Sequence, residues 1–472
     1  MIERELLDKI NSERTAEIFC ELYGESKIDA ARQRYVTLIT EMLNDGPGGF
    51  PQSELCSVSG NLRVFSAPGR TELAGNHTDH NRGKVLAASI QLDSVAIAQE
   101  RKDNTVFFRS KGYPDVRVKL MDSSGVPDLQ PKPEEEGTTE AMVRGIAAGL
   151  SHNGCPIGGF SANAASTVFP GSGLSSSAAV EVLLCRIFDS LYGEGKLGFL
   201  EIAQIGQIAE NAYFGKPCGL MDQIACAAGG AVAIDFAGAA PTGAAPVGAA
   251  PIVKQINFDL TAAGYALCVV NTGGSHANLT ADYAAIPAEM KAAAAFFGKS
   301  VLGELEKETV LSRAAELRKS LGDRALLRSL HFFDENARVD AMITALAEME
   351  NAVTAAAKQQ ALNFYLDMVN ESGDSSWELL QNVYSPHRHE TQGISAAPQG
   401  ISAALALTRD FFRKQKLCGA CRVHGGGFAG TIQAYIPLDA MDAYRANIEA
   451  VFGAGSVTEL RIRPRGAVEL VF

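Results

Sequence analysis

Four short segments concentrate the residues that can do chemistry. The first is Gly171-Ser172-Gly173-Leu174-Ser175-Ser176-Ser177-Ala178. Its small residues let the backbone approach a bulky anion. Open N–H groups at a helix start, with the helix dipole behind them, favour phosphate. The hydroxyls of Ser175, Ser176 and Ser177 add donors and one ligand for a magnesium ion. A plain N-cap is the competing reading, because serine is common at helix starts on that account alone. No Gly-Lys-Ser/Thr follows the glycines, so the loop is not a Walker A motif. It also lacks the third glycine of a dinucleotide fingerprint.

The second segment is Arg63–Leu86, RVFSAPGRTELAGNHTDHNRGKVL. Polar residues crowd into Asn76-His77-Thr78-Asp79-His80-Asn81. That density suits a polyhydroxylated ligand, whose every hydroxyl needs a donor or acceptor. Metal ligation by the His-Thr-Asp-His run and a satisfied polar turn are the alternatives. In the third segment, Glu210 and Asn211 precede Cys218-Gly219-Leu220-Met221-Asp222-Gln223. Asp222 lies among small apolar residues, as a first-turn helix acid or as a buried base beside a cation. The fourth is Val423-His424-Gly425-Gly426-Gly427-Phe428-Ala429-Gly430, a Gly-rich turn between strands. A tight turn is enough to explain it by itself.

The elements needed to position these segments are legible from periodicity. Residues 1–45 read as two helices broken near Gly24. Strands are expected at Arg63–Ser66, Val85–Ile90, Ser94–Gln99, Thr105–Ser110 and Val116–Leu120. A helix at Glu140–Asn153 and a strand at Gly159–Ala164 lead into the Ser-rich loop. After it, Val180, Leu183, Leu184, Ile187 and Leu191 form a buried helical stripe. Phe199–Phe214 is a further helix and Tyr265–Asn271 a strand. Residues 282–370 are mostly helical. Strands Arg422–His424 and Ala429–Ile436, a helix Asp439–Val451 and a last strand Ala467–Phe472 follow. Strands and helices mix without a strict alternation, which indicates α+β with two lobes.

Composition narrows the classes. A chain of 472 residues with 46% hydrophobic and 20% charged residues is ordinary globular material, not wholesale disorder. A net charge of −12 argues against a general binder of nucleic acid or anionic membranes. No apolar run approaches the ~18 residues of a membrane span. The N-terminus reads as a charged amphipathic helix rather than a signal peptide. Nine cysteines, an odd and scattered set, fit free thiols in a reducing cytoplasm. Cys418 and Cys421 form a CxxC with no second pair, so a zinc site is not indicated. Residues 238–252 (GAAPTGAAPVGAAPI) read as a solvated connection, and 392–404 (QGISAAPQGISAA) as a tandem duplication.

Together and in this order, the segments resemble the GHMP small-molecule kinases, and within them the galactokinase family. PGRTELAGNHTDHNRG is similar to the signature PGRVNLIGEHTDYNxG. FPGSGLSSSAAVEV resembles the family's phosphate loop, and AENAYFGKPCGLMDQIA the segment carrying its catalytic Asp. NTGGSHANLTADY resembles the sugar-side strand with its Tyr, and HGGGFAG the third motif. The resemblance runs from about residue 20 to the C-terminus. It implies a two-lobed GHMP kinase fold with the active site in the interlobe cleft. The division implied is a helical extension (1–60), an N-terminal lobe (61–237), a linker loop (238–252) and a C-terminal lobe (253–472).

The activity implied is an ATP-dependent sugar 1-kinase using Mg²⁺, a cytoplasmic monomer or dimer acting on galactose. Asp222 matches the base and Arg70 the charge-neutralising Arg. Gly171, Ser172, Gly173, Leu174, Ser175, Ser176 and Ser177 match the ATP phosphate loop. Ser177 and Glu210 match the Mg²⁺ ligands. Asn76, His77, Thr78, Asp79, Gly219 and Tyr283 match the sugar contacts. Asn76 departs from the family's Glu, which accepts from a sugar hydroxyl near C6. Thr71-Glu72 replaces Val-Asn, and His80 replaces Tyr. ESGDSSWELL at Glu371–Leu380 replaces an ESHxSL stretch. Loss of a carboxylate at 76 removes repulsion of an anionic C6, which brings in galacturonate. Asn also bonds a 6-hydroxyl, because its amide donates and accepts. A non-catalytic sugar sensor is a further alternative, opposed by the intact Asp222, Arg70 and Ser177. A metal-dependent hydrolase leaves the phosphate loop unexplained.

Overall fold

The computed structural model describes residues 3–43, 50–55, 58–169, 171–238, 250–274, 279–384 and 399–472, with short strands at 390–391 and 394–395. Most of the GAAP repeat, residues 392–393 and 396–398 of the 392–404 duplication, Pro170 and residues 275–278 lie outside them.

Alternation along the strand Lys84–Arg101 sets the architecture. Val95 and Ile97 pack against the N-terminal helices, whereas Ala96 and Ala98 face the helices Thr139–His152 and Ser176–Tyr192. Successive strand residues point to opposite faces, so a strand covered on both sides must be apolar on both. This strand is the hub of an eight-stranded sheet. One edge pairs antiparallel with Val58–Ala74. The other is shared by Ala231–Asp235 and Phe160–Ser166. A second, four-stranded antiparallel sheet holds Ala420–His424, Thr431–Pro437, Tyr265–Asn271 and Val457–Leu460. The long helices Asp323–Asn351 and Ala355–Ser375 bury Val339, Met342, Tyr365 and Leu366 with residues of both sheets. The α+β, two-lobed fold expected from the sequence is the one observed. No helix among the described residues is long and apolar enough to cross a membrane.

Three local expectations need correction. The N-terminal region forms three α-helices, Glu3–Ile10, Glu13–Tyr23 and Ile28–Leu43. The extra break comes at Ser12, whose side chain caps the second helix by accepting from Thr15 N at 3.3 Å. Arg63–Ser66 does not stop before Pro68-Gly69-Arg70 but belongs to one strand, Val58–Ala74. Register shifts between Pro68 and Arg70 and between Glu72 and Ala74 absorb the proline and the turn residues. Val85–Ile90 and Ser94–Gln99 likewise fuse into one strand.

The lobes are also not contiguous in sequence. Ile252–Ile256 pairs with Ala231–Asp235, and Val468–Leu470 pairs with Val58–Ala74, so both return to the first sheet. Edge strands need partners for their N–H and C=O groups, and nothing local in a sequence identifies which partner.

A buried ionic knot ties the two chain ends to this sheet. Asp93, 0% exposed, accepts from Arg34 of the N-terminal extension at 2.6 Å, from Arg463 at 3.0 Å and from Tyr23 at 2.6 Å.

Candidate active site

The Ser-rich loop joins the strand Phe160–Ser166 to the helix Ser176–Tyr192. Its chain turns at Gly171 and Gly173, with φ of 72° and 71°, values glycine adopts without penalty. Ser175 has a φ of 57°, where a side chain is disfavoured by roughly 1–2 kcal/mol. Its hydroxyl donates to Asp222 Oδ2, which holds it there. Gly69 has a packing reason: a Cβ there would lie 2.7 Å from the Leu174 carbonyl oxygen. That carbonyl accepts from the Arg70 backbone N–H at 3.0 Å.

Arg70 and Asp222 meet as the sequence suggested. Arg70 Nε donates to Asp222 Oδ1 at 2.8 Å, Nη2 lies 2.7 Å from the same oxygen, and Nη1 donates to the Gly173 carbonyl. Asp222 stands in the first turn of Met221–Ala228, where the helix dipole favours negative charge. Burial alone would raise its pKa. The Arg70 guanidinium and the Ser175 hydroxyl outweigh burial and hold the carboxyl below its usual range. The Asp222 side chain keeps 32% exposure, so an ionised carboxylate faces the cleft.

The fourth segment, the Gly-rich turn at Val423–Gly430, reaches this loop through residues that sequence reasoning missed. Gln433 Nε2 donates to Thr71 Oγ1 at 2.8 Å. Thr71 then donates to His424 Nε2 at 3.0 Å. His424 Nδ1 donates to Thr431 Oγ1 at 2.9 Å, and Thr431 donates to the Ser172 carbonyl at 2.8 Å. This polarity requires a neutral imidazole. Burial, reinforced by the nearby Arg70 charge, pushes the His424 pKa well down. The chain of bonds ties the strand carrying Arg70 to the Ser-rich loop.

The proposed sugar loop is held from outside. Glu335 accepts from the Gly75 and Asn76 backbone N–H groups at 3.1 and 3.4 Å, and from Ser372 at 2.7 Å. Burial opposes its charge, yet Arg338, His331 and Arg422 hold its pKa at about 2. His331 Nε2 bonds the Asn76 carbonyl at 2.9 Å. His331 and Glu335 lie four apart on one helix, a spacing legible in the sequence but not distinguishable there from a surface pair.

Within the loop, Asn76 is 1% exposed and its amide is spent on the protein. Nδ2 donates to Glu72 Oε1 at 3.0 Å and to the Gly425 carbonyl at 2.7 Å; Oδ1 accepts from Asn382 at 2.8 Å. Thr78 is buried and donates to the Lys84 carbonyl at 2.6 Å. His77, at φ 59°, bonds the Gly426 carbonyl through Nε2 at 2.9 Å. Burial pushes its pKa to about 4, so it is neutral near pH 7. Asp79 caps the His80 N–H at 2.9 Å. It lies so close to Gly219 that a Cβ there would sit 1.9 Å from Asp79 Oδ2. Tyr283 donates to the Gly427 carbonyl at 2.8 Å. Asn76, His77, Tyr283 and the Gly425–Gly427 turn therefore converge, and Asp79 reaches Gly219 near Asp222. The His-Thr-Asp-His run forms no metal cluster, and no group of three His, Cys, Asp or Glu side chains among the described residues could hold one.

A pair of acids completes the site. Glu210 is 2% exposed on the wide helical turn Ala209–Phe214. Gln223, next to Asp222, donates to Glu210 Oε2 at 3.1 Å and to Glu181 Oε2 at 2.9 Å. Glu181 is fully buried, and its Oε1 has no partner. Burial and the neighbouring Glu210 push its pKa well up. Lys216 pairs with Glu210 at 2.7 Å. Glu181 was not singled out from the sequence, although it lies one helical turn after Ser177.

A cavity of about 1390 Å³ lies elsewhere, lined by Tyr23, Arg34, Phe258 and Arg461. It shares no residue with the Arg70–Asp222 centre, and the site is assigned by the convergence of functional groups, not by volume.

Two family models match the chain: the GHMP kinases N terminal domain over residues 141–230 and the galactokinase galactose-binding signature over 55–100. The galactokinase of Streptomyces coelicolor is 30% identical over 409 residues, covering 84% of this chain and 91% of that protein. That of Actinobacillus pleuropneumoniae serotype 5b is 31% identical, covering 82% and 88%. The fold is similar to Lactococcus lactis galactokinase complexed with galactose, with a TM-score of 0.67, 24% identity and coverage of 97% and 99%. A mevalonate kinase shares it more distantly, with a TM-score of 0.54, 12% identity and coverage of 84% and 98%. On that identity across most of both chains, this protein belongs to the galactokinase family of GHMP kinases and is a sugar phosphotransferase.

Proposed function

We propose that the chain transfers the γ-phosphoryl group of ATP to the C1 hydroxyl of galactose. The observation that carries this reading is Asp222, held ionised by Arg70 and Ser175 between the phosphate loop and the sugar loop. Phosphoryl transfer is mostly positioning and charge stabilisation. Backbone N–H groups of Gly171–Ser177 take the phosphates at the helix start. Asp222 accepts the hydroxyl proton as the C1 oxygen attacks the γ-phosphorus. Arg70, bound to both Asp222 and the Gly173 carbonyl, couples the base to the loop.

Mg²⁺ fits the residues present. Ser177 and Glu210 offer hard oxygens, and the unpartnered Glu181 Oε1 lies in the same acid pair. Mg²⁺ prefers one or two protein oxygens alongside phosphate oxygens and water. When bound, the ion supplies charge neutralisation at the phosphates. Ser177→Ala and Glu210→Gln are expected to raise the Mg²⁺ concentration needed for half-maximal rate and to weaken ATP use. Sugar affinity should change little. Initial rates across a Mg²⁺ titration, with sugar affinity from calorimetry, check this; a change in sugar affinity alone contradicts the assignment.

Galacturonate is not favoured, because a carboxylate is still present beside position 76, supplied by Glu72. ADP release measured with galactose, galacturonate, 6-deoxygalactose and glucose tests the substrate. Galactose should give the highest kcat/KM, and a better rate with galacturonate overturns the reading.

A further inference from the structure

Against the signature PGRVNLIGEHTDYN, this chain has exchanged two residues, not lost one. The signature has Asn where Glu72 stands and Glu where Asn76 stands. These two side chains touch, with Asn76 Nδ2 donating to Glu72 Oε1 at 3.0 Å. The carboxylate–amide pair is therefore retained with its polarity reversed.

The reversal changes which member can meet a ligand. Both donors of the Asn76 amide are taken by Glu72 and the Gly425 carbonyl, and its oxygen already accepts from Asn382, so the amide can donate to no ligand and keeps a single lone pair. Glu72 uses one oxygen only. Its Oε1 accepts from Asn76 and from the buried Arg422, which also donates to the Leu73 carbonyl at 2.5 Å. Glu72 Oε2 takes no hydrogen bond from any described residue, yet it is not among the buried polar atoms sealed from solvent without a partner. Residues 70–72 pair in unbroken register with Ser89, Ala88 and Ala87. Glu72 is thus on the strand face that carries Arg70 to Asp222. We propose that Glu72, through Oε2, is the specificity-determining acceptor for the sugar's 6-hydroxyl, with Asn76 and Arg422 as the residues that position it. This proposal rests on the galactose 1-kinase reading.

The test compares kcat/KM for galactose and 6-deoxygalactose in wild type, Glu72→Gln and the exchange variant Glu72→Asn/Asn76→Glu, with thermal unfolding as the folding control. The wild type should prefer galactose by about tenfold or more, the worth of one hydrogen bond to a charged acceptor. Glu72→Gln should lower that ratio about tenfold. Asn76→Glu alone should lose activity, because it sets a second buried carboxylate against Glu72. The exchange variant should recover activity and keep the ratio within about threefold of wild type, since the pair is restored in the signature's polarity. It decides the matter if Glu72→Gln fails to fold. A wild type that turns over galactose without discriminating at C6, a folded Glu72→Gln with an unchanged ratio, or an exchange variant that folds without the ratio overturns the proposal alone. A wild type that phosphorylates none of these sugars overturns the galactose reading, and the proposal with it.

Discussion

Asp222→Asn is expected to lower the phosphorylation rate by about 10²–10⁴-fold, the usual worth of a positioned general base. In the variant the remaining Oδ1 still accepts from Arg70 Nε, while the amide nitrogen in place of Oδ2 can only donate, so the Ser175 hydroxyl must turn to accept from it. The variant loses the negative charge proposed to take up the sugar proton. Nucleotide affinity should change far less, because the Ser-rich loop proposed to take the phosphates is also held through Thr431 and the Ser172 carbonyl. The pH profile follows from the same contacts. Burial favours the neutral acid, but Arg70 and Ser175 more than compensate. The wild-type acid limb should therefore fall below the ordinary carboxylate pKa of about 4. Stopped assays of ADP formation from pH 4 to 9, with nucleotide binding measured separately, check both points. Near-normal turnover in the folded variant removes Asp222 from the role.

Asp93→Ala is expected to cost about 3–5 kcal/mol of stability, the usual result of leaving buried charge without its partner. Against a typical folded margin of about 5–15 kcal/mol, that is a large share. Arg463 is 0% exposed and would keep its charge with only the Ser66 hydroxyl and nearby carbonyls as partners. Arg34 would lose its 2.6 Å contact, one of the polar links from the N-terminal helices to the sheet. The pH dependence has a definite sign. Burial opposes ionisation of Asp93, but Arg34 and Arg463 prevail and depress its pKa. Its stabilisation is in force above the unfolded carboxylate pKa of about 3.9 and is lost as pH falls through the lower folded value. Urea unfolding at pH 7 and pH 4 checks this: the variant's midpoint should be far lower at both. A midpoint at pH 7 unchanged from wild type contradicts the assignment.

Much of the candidate site's local geometry was legible because its signals are local. Glycines at positive φ, small residues before a helix and a first-turn acid each follow from the few residues around them, as at Gly171, Gly173 and Asp222. The order of these segments along the chain carried the family. What was not legible is reciprocal. The neutral His424 relay needs Thr71, which is 353 positions away. Glu335 secures the Gly75–Asn76 backbone from 260 and 259 positions away. A buried acid on a helix is not marked in a sequence as serving a loop on another lobe.

Position 76 shows the division most clearly. Sequence by itself determined that a neutral amide stands where the related signature has a carboxylate. It also determined that Glu72 lies four residues earlier. Only the tertiary structure decided that the two touch, that Arg422 pairs with the acid, and that Gly425 takes the amide's second donor while Asn382 bonds its oxygen. The physical reason is hydrogen-bond valence. A side chain's donors and acceptors are fixed by its type, but whether any is left for a ligand depends on neighbours that the fold delivers from distant parts of the chain.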